Sequence, residues 1–453
     1  MSRRIYHVLD FGAHADGTLT TTELQAAIDA CFLAGGGTVV VPAGDFLTGG
    51  LRLRSHVHLQ LEEGAHLVGS RDPEDYTGIL SDAVEPLADK DRTDAVWGPA
   101  HTRTNHDFIN SPGSRWNNAL IRAIDAEDIA ILGAKDAWLD GSDCYDPTGE
   151  SHFRGPHAVC FHRCRNVRLS GYGIRNSANW AHCILDSQNI LAECLTVEGG
   201  HDGFHIRSCD NVEVFNCYFA TGDDCIAGFD NQNVTVRRCY INTACNGMRF
   251  GATNALIDHC VFEGPAKFVF RHSLTEAEKA SGKLEDTGKH RYNMLSAFTY
   301  FADLTRGVRE EPGNILLKNC TAKNVDRLFH YNFSGNEVWQ KGRPLRSITI
   351  DGLKAEGIKL PLNAYGDVAC PLTLTIRNAE ISFSSDREEC AMMNVYGYER
   401  ILLDGVKVWG AEGHPLICTW SKEGEILARN LECDRDVGEL YAYQTEAFHT
   451  KAI

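Results

Sequence analysis

A chain of 453 residues with 43% hydrophobic content can bury a large core, and length alone would allow two or three domains. The formal net charge of −17, with no cluster of Lys and Arg, excludes a nucleic-acid partner, because phosphate binding needs a basic stripe. No run approaches the roughly 18 apolar residues of a membrane span. The first residues, MSRRIYHVLDFGAHADG, lack an apolar stretch of secretory type, so the expected location is cytoplasmic and the 17 cysteines are expected as reduced thiols.

In chain order, Thr20 to Cys31 reads as an amphipathic helix, with Thr20 and Glu23 as a capping box and Leu24, Ala27, Ile28 and Cys31 on one face. It is expected to cover the open end of a coil of strands. Gly35-Gly36-Gly37 ends it, and Thr38–Val41, Leu51–Leu53 and Val57–Leu61 alternate as half-buried strands. Residues 70–118 lose the alternation and read as a long loop, in which Trp97 and Trp116 either stack on a sugar face or pack the loop down.

The alternation resumes near Ile121 and becomes periodic. Asn166, Asn189, Asn211, Asn233 and Asn254 recur at steps of 23, 22, 22 and 21, and Asn211-Val212-Glu213-Val214 returns as Asn233-Val234-Thr235-Val236. A period in the low twenties with an Asn at each bend is the mark of a parallel β-helix, in which each repeat is one rung and equivalent residues stack. Cys194, Cys217, Cys239 and Cys260 follow a similar spacing and are expected as one interior column of small apolar side chains. Residues 264–313 interrupt the period, with a helix-like Leu274 to Lys283 and an aromatic Tyr292 to Phe301, and are expected to wall the cleft. Rungs return at Asn314–Leu317, Ser347–Ile350, Leu372–Ile376 and Ile401–Leu403, and the tail after Glu432 reads as irregular. The expectation is an all-β chain, a right-handed parallel β-helix forming one domain over 1–453 with residues 1–37 as its N-terminal cap.

Chemistry concentrates in the most regular part. The 22-residue lag carries Asp202 onto Asp224, with Asp223 adjoining, so three carboxylates are expected on one face. Acids that repel one another can leave one protonated near neutral pH while its neighbours stay ionised, as glycosidic hydrolysis requires. His182, His205 and Arg249 are expected to project from successive rungs of one outward column.

At these residues the chain resembles glycoside hydrolase family 28, the polygalacturonases and rhamnogalacturonan hydrolases. The family's Gly-Asp-Asp stands as Gly222-Asp223-Asp224, and its Asn-Thr-Asp-Gly as Gly200-His201-Asp202-Gly203. Leu9–Ala13, Asp16-Gly17, Pro42-Ala43-Gly44 and Leu61–Ala65 are similar to bacterial members as well. The resemblance implies Asp223 as general acid and Asp202 and Asp224 as holders of the attacking water, with inversion at the anomeric carbon. His182, His205 and Arg249, on their outward column, are expected either to line sugar subsites or to cap exposed rungs, and His201, Asn246, Arg271 and His272 are further expected substrate contacts. Two motifs depart from the family. Cys245-Asn246-Gly247 stands where it has Gly-His-Gly, and Phe270-Arg271-His272 where it has Arg-Ile-Lys, which alters the cation that would grip a galacturonate carboxylate.

The function expected is an inverting, exo-acting glycoside hydrolase on pectin-derived oligosaccharides of galacturonate or rhamnogalacturonan type, with no metal and no cofactor. Its partner is the oligosaccharide, and the oligomeric state stays open. A β-helix polysaccharide lyase, with Arg249 or Arg271 as the nearest basic residue, and a non-catalytic glycan-binding solenoid are the rival classes.

Overall fold

The computed structural model describes residues 4–81, 115–149, 153–271, 277, 291–302, 312–333, 343–386, 391–411, 415–434 and 439–445. Its strands run parallel and stack rung on rung, a parallel β-helix. They group into two compact units, residues 1–223 with 268–291 and residues 224–267 with 292–453.

In the first unit, the helix Thr21–Leu33 buries Leu24, Ala27, Ile28 and Cys31, the face expected from the spacing. The capping box does not form. The Thr20 hydroxyl donates to Glu23 Oε2 at 3.3 Å and accepts from His14 N at 3.2 Å, so it makes no bond to the amides of the first turn. The helix packs on the early strands, where Gln25 meets the backbone of Arg52 twice, its Oε1 accepting from Arg52 N at 2.8 Å and its Nε2 donating to Arg52 O at 3.1 Å. One amide thus satisfies backbone groups of the short strand Leu51–Arg52.

Each rung of the periodic part has three strands. Gln188–Glu193 pairs with Arg165–Ser170 before it and Asp210–Phe215 after it, with Val167, Ile190 and Val212 in one stack and Leu169, Ala192 and Val214 in the next. These side chains are at most 2% exposed, and the intervening residues face out. Burial of each Val, Ile or Leu contributes roughly 1.5–3 kcal/mol, so strict alternation fixes the register. The bends are made by Asn166, Asn189 and Asn211, all left-handed with φ of 56 to 58°. Their amides form the expected ladder, Asn189 to Asn166 and Asn211 to Asn189, each at 3.0 Å. Trp116 is buried edge-on to Trp180 at 4.9 Å, so of the two alternatives it packs. Trp97 lies outside the described residues.

The second unit repeats the scheme. Ile315, Ile348, Leu374, Ile401 and Ile426 stack on successive strands. Asn254 donates to Asn233 at 3.2 Å and Asn314 to Asn254 at 2.8 Å, so the ladder crosses the break in the sequence period.

Three further expectations are corrected. Cys194 is exposed, at φ 54°, while Cys217, Cys239, Cys260 and Cys320 are buried. The pairing of Thr196 with Tyr218 puts Leu195 in the position of Cys217, so Cys194 is one residue out of register, and an offset of one turns a side chain to the other side of the wall. The stretch 264–313 is not wholly an insertion, because Ser296–Tyr300 is a rung strand paired with Asn246–Asp258 on one side and Phe329–Asn332 on the other. The tail contains a strand, Tyr441–Tyr443, paired with Ile417–Thr419. The helix-like Leu274 to Lys283 falls almost entirely outside the described residues.

Candidate active site

In the first unit the turns at Gly199–Asp202 and Gly222-Asp223 follow the strands Thr196–Gly199 and Tyr218–Thr221 and lie on neighbouring rungs, joined by Gly222 N donating to Gly199 O at 2.7 Å. Asp202 is 4% exposed, and its Oδ2 lies 2.9 Å from His205 Nδ1. His205 is held flat against Trp180, with ring centroids 3.7 Å apart and planes 6° apart. This fixes the imidazole and the carboxylate it holds.

Asp223 is more open, with 14% of its side chain exposed, and Arg154 Nη2 lies 4.0 Å from its Oδ2. Arg154 is held from several sides. It donates to Asn179 Oδ1 at 3.1 Å, meets His201 Nδ1 at 3.4 Å, and has the rings of Phe153 and Trp116 at 5.7 and 6.0 Å. His201 in turn stacks on Phe153 at 6.0 Å. An unpaired guanidinium could not remain this buried, so these contacts offset its desolvation and aim it at Asp223.

Arg271 behaves differently from expectation. Its guanidinium binds Asp143 Oδ1 and the Tyr145 hydroxyl, it is 5% exposed, and its backbone N donates to Gly200 O at 3.2 Å. Burial pushes the Asp143 carboxyl up and the Arg271 guanidinium down, and in each case the partner's charge opposes the shift. The segment leading to Arg271 presses on the two turns so closely that a Cβ on Gly222 would strike the Val269 carbonyl, and one on Gly200 the Arg271 side chain. Glycine at these positions is a matter of clearance. Arg271 pins the segment against the turns that carry Asp202 and Asp223. His272 lies outside the described residues.

His182 is also corrected. The register pairs it with Phe204, while His205 pairs with Cys183, so the two histidines do not share a column. His182 is fully buried, with Nδ1 3.0 Å from Gly203 O and Nε2 2.9 Å from the Tyr172 hydroxyl. Burial pushes its pKa down to about 4. It is a satisfied core histidine.

In the second unit, Asp224 is 2% exposed and well supplied with donors: Asn246 N at 3.0 Å and Asn246 Nδ2 at 2.8 Å to Oδ1, and Arg249 Nη1 at 3.4 Å to Oδ2. Thr299 donates to Asn246 Oδ1 at 2.9 Å, which fixes the orientation of that amide. Arg249 lies over the Phe301 ring at 3.9 Å and keeps 29% of its side chain exposed. Asn246 thus binds Asp224 through both its backbone and its side-chain amide.

The sequence reading missed Arg154, Asp143 and Tyr145. Asp143 and Tyr145 lie in the connection 143–149 and Arg154 in the connection 153–156, where no 22-residue period operates; an Arg next to Phe ahead of the apolar strand His157–His162 was the one visible sign.

With this geometry in place, residues 106–256 match the model of Glycosyl hydrolases family 28. The chain is family 28-like. It is 28% identical over 252 residues to an exo-poly-alpha-D-galacturonosidase of Dickeya chrysanthemi, covering 49% of this chain and 41% of that protein. It is also 46% identical over 169 residues to the mannuronan C5-epimerase AlgE2 of Azotobacter vinelandii, covering 37% of this chain and 15% of that protein. The chain therefore spans less than half the length of these relatives. Among solved structures, the exopolygalacturonase of Thermotoga maritima superposes with a TM-score of 0.60 at 20% identity, over 96% of this chain and 93% of that one, a likeness of fold. The family 28 match contains Asp202, Asp223, Asp224, Asn246 and Arg249, and ends before Arg271.

Proposed function

We propose that this chain is an inverting glycoside hydrolase acting from the end of pectin-derived oligosaccharides, with Asp223 as general acid and Asp202 and Asp224 as the carboxylates that orient and deprotonate water. The observation that carries the reading is the contrast among the three acids. Asp202 and Asp224 are almost sealed, each fixed by a His or by Asn and Arg donors, while Asp223 is the more accessible of the three and so the one best able to reach a glycosidic oxygen.

In the reaction, Asp223 gives its proton to the glycosidic oxygen as the bond from that oxygen to the anomeric carbon breaks. Water adds to the same carbon from the opposite face, and its proton passes to Asp202 or Asp224. The family match supports hydrolysis, and the exo-poly-alpha-D-galacturonosidase among the relatives supports attack from a chain end. The burial of Arg271 against Asp143 supports a substrate other than plain homogalacturonan, such as a rhamnogalacturonan fragment, because that cation is already engaged.

Asp223→Asn should remove nearly all turnover on an unactivated oligosaccharide with an unchanged melting temperature. Ordinary activity in that variant would refute the acid. Proton NMR of the first-formed anomer tests inversion. The likeness to the epimerase favours a second reading, removal of a uronate C5 proton. New reducing ends without near-ultraviolet absorption support hydrolysis; new ends accompanied by an unsaturated product absorbing there, or a changed uronate with no new ends, would replace it.

A further inference from the structure

A second site lies on the same edge of the first unit as Asp202 and Asp223, several rungs earlier. There the side chains of Leu47, Val68, Arg71, Asp140, Ser142, Asp143 and Asn176 surround a cavity of about 480 Å³, within the range of small-ligand pockets. Its floor follows the register: Leu47 pairs with Val68 and Val68 with Asp140, so the three share one outward column. Its polar wall is already fixed. Asp140 Oδ1 accepts from Ser142 N at 2.9 Å and Asn176 Nδ2 at 3.0 Å, and its Oδ2 from Arg175 Nε at 2.7 Å. Asp143 is bound to Arg271, the residue that presses on the Gly200 turn.

The rungs give the distance to the chemistry. Asp143 N donates to Asn176 O, Asn176 abuts Gly199, and Gly222 N donates to Gly199 O, so the cavity starts two rungs before the Asp223 turn and reaches three further, to Leu47. At about 4.8 Å per rung this is about 10 to 24 Å, within reach of an oligosaccharide lying along the stack.

We propose that this cavity binds a neutral pyranose, a hexose or 6-deoxyhexose residue, of the oligosaccharide whose bond is cleaved at Asp223, a reading that rests on the glycosidase assignment. The lining suits a neutral residue. Asp140 and Asp143 are already paired with Arg175 and Arg271, and Arg71 adds a further cation to the wall, so no pair of carboxylates is left to be neutralised, while sugar hydroxyls can donate to Asp140 and Asp143 and accept from Asn176 and Ser142. Leu47 and Val68 offer an apolar surface for the C–H face of the ring or a 6-deoxy methyl group.

The test is ligand-observed NMR titration of the full chain with L-rhamnose, D-galactose and D-galacturonate, comparing wild type with Leu47→Trp and Val68→Trp. Both positions face outward and are half-buried, so the indole enters the cavity and not the core. Filling the cavity should weaken L-rhamnose or D-galactose binding about ten-fold, a loss of roughly 1.4 kcal/mol, and leave galacturonate unchanged. Equal affinity for the neutral sugars in wild type and in a folded variant overturns the proposal, as does stronger galacturonate binding that the indole abolishes. Crystals soaked in L-rhamnose supply the arm that needs no substitution. Density against Leu47 and Val68 supports the site, and an empty cavity overturns it. Binding is read without turnover, so loss of the glycosidase reading would show as intact sugar binding with no hydrolysis, and loss of the cavity as hydrolysis without this binding.

Discussion

Acidification should destabilise this protein through histidines sealed inside the coil, and His182 gives a measurable share. Burial holds its folded pKa at about 4, against 6.5 for an exposed imidazole. A depressed folded pKa means that the unfolded chain takes up the proton first, so this contribution is fully present above 6.5 and is lost as pH falls towards about 4. The whole window of about 2.5 units is worth roughly 3 kcal/mol, and about 2 kcal/mol of it falls between pH 7 and 5. His157, pushed down to about 3 by burial and by the charge of Arg154, adds a loss of the same sign. Urea melts of wild type and His182→Gln at pH 7, 6 and 5 isolate the His182 share, since glutamine can bond both Tyr172 and Gly203 but does not titrate. The variant should be less stable at pH 7, and the gap should narrow by about 2 kcal/mol by pH 5. A gap that stays constant across that range would refute the burial argument.

Arg271→Met should cost about 3–5 kcal/mol in a urea melt by stranding the buried Asp143 carboxylate, and a loss below about 1 kcal/mol would remove Arg271 from its pinning role. Asn246→Ala removes the 2.8 Å side-chain donor to Asp224 and should lower kcat/KM by about 10- to 100-fold, the equivalent of roughly 1.5–3 kcal/mol; kinetics on a rhamnogalacturonan fragment check it, and an unchanged value would detach Asp224 from the chemistry. Arg249→Met keeps a side chain over Phe301 but removes the exposed charge, so it should raise KM more than it lowers kcat, and the opposite pattern would place Arg249 in the transition state.

The fold was legible because a β-helix writes its geometry at one period. Asn166, Asn189 and Asn211 bend every rung in the left-handed conformation and bond their own stack, so the spacing of one residue type displayed the rung. The same period cannot see an offset of one, which is why the spacing puts Cys194 inside although Leu195 occupies that column. Nor can it see the rung strand Ser296–Tyr300, buried along its whole length and therefore without alternation. The acids of the site were visible because they lie on the period. The groups that hold them came from off it. Arg154 belongs to a connecting turn, and the partners of Arg271 are 126 and 128 residues away in the chain.

That distance alters the substrate argument. The sequence places Arg271 where it could grip a sugar carboxylate, yet only 6% of its side chain is exposed and Asp143 holds it; Arg154 shows 7% and is committed to Asn179, His201 and Asp223. Of these two and Arg249, Arg249 alone keeps a substantial exposed fraction, 29%, and the carboxylate of Asp224 already opposes it. Homogalacturonan carries a carboxylate on every residue, so its tight binding would need a row of uncommitted cations. The partly neutralised Arg249 supplies one such contact and the exposed Arg71 at the cavity one more, on a chain of net charge −17. An oligosaccharide in which uronates alternate with neutral residues asks for fewer, and its neutral residues match the mixed lining at Asp140, Asp143 and Arg71. The committed cations and the cavity wall therefore favour the same class of substrate, and the Arg271–Asp143 pair belongs to both.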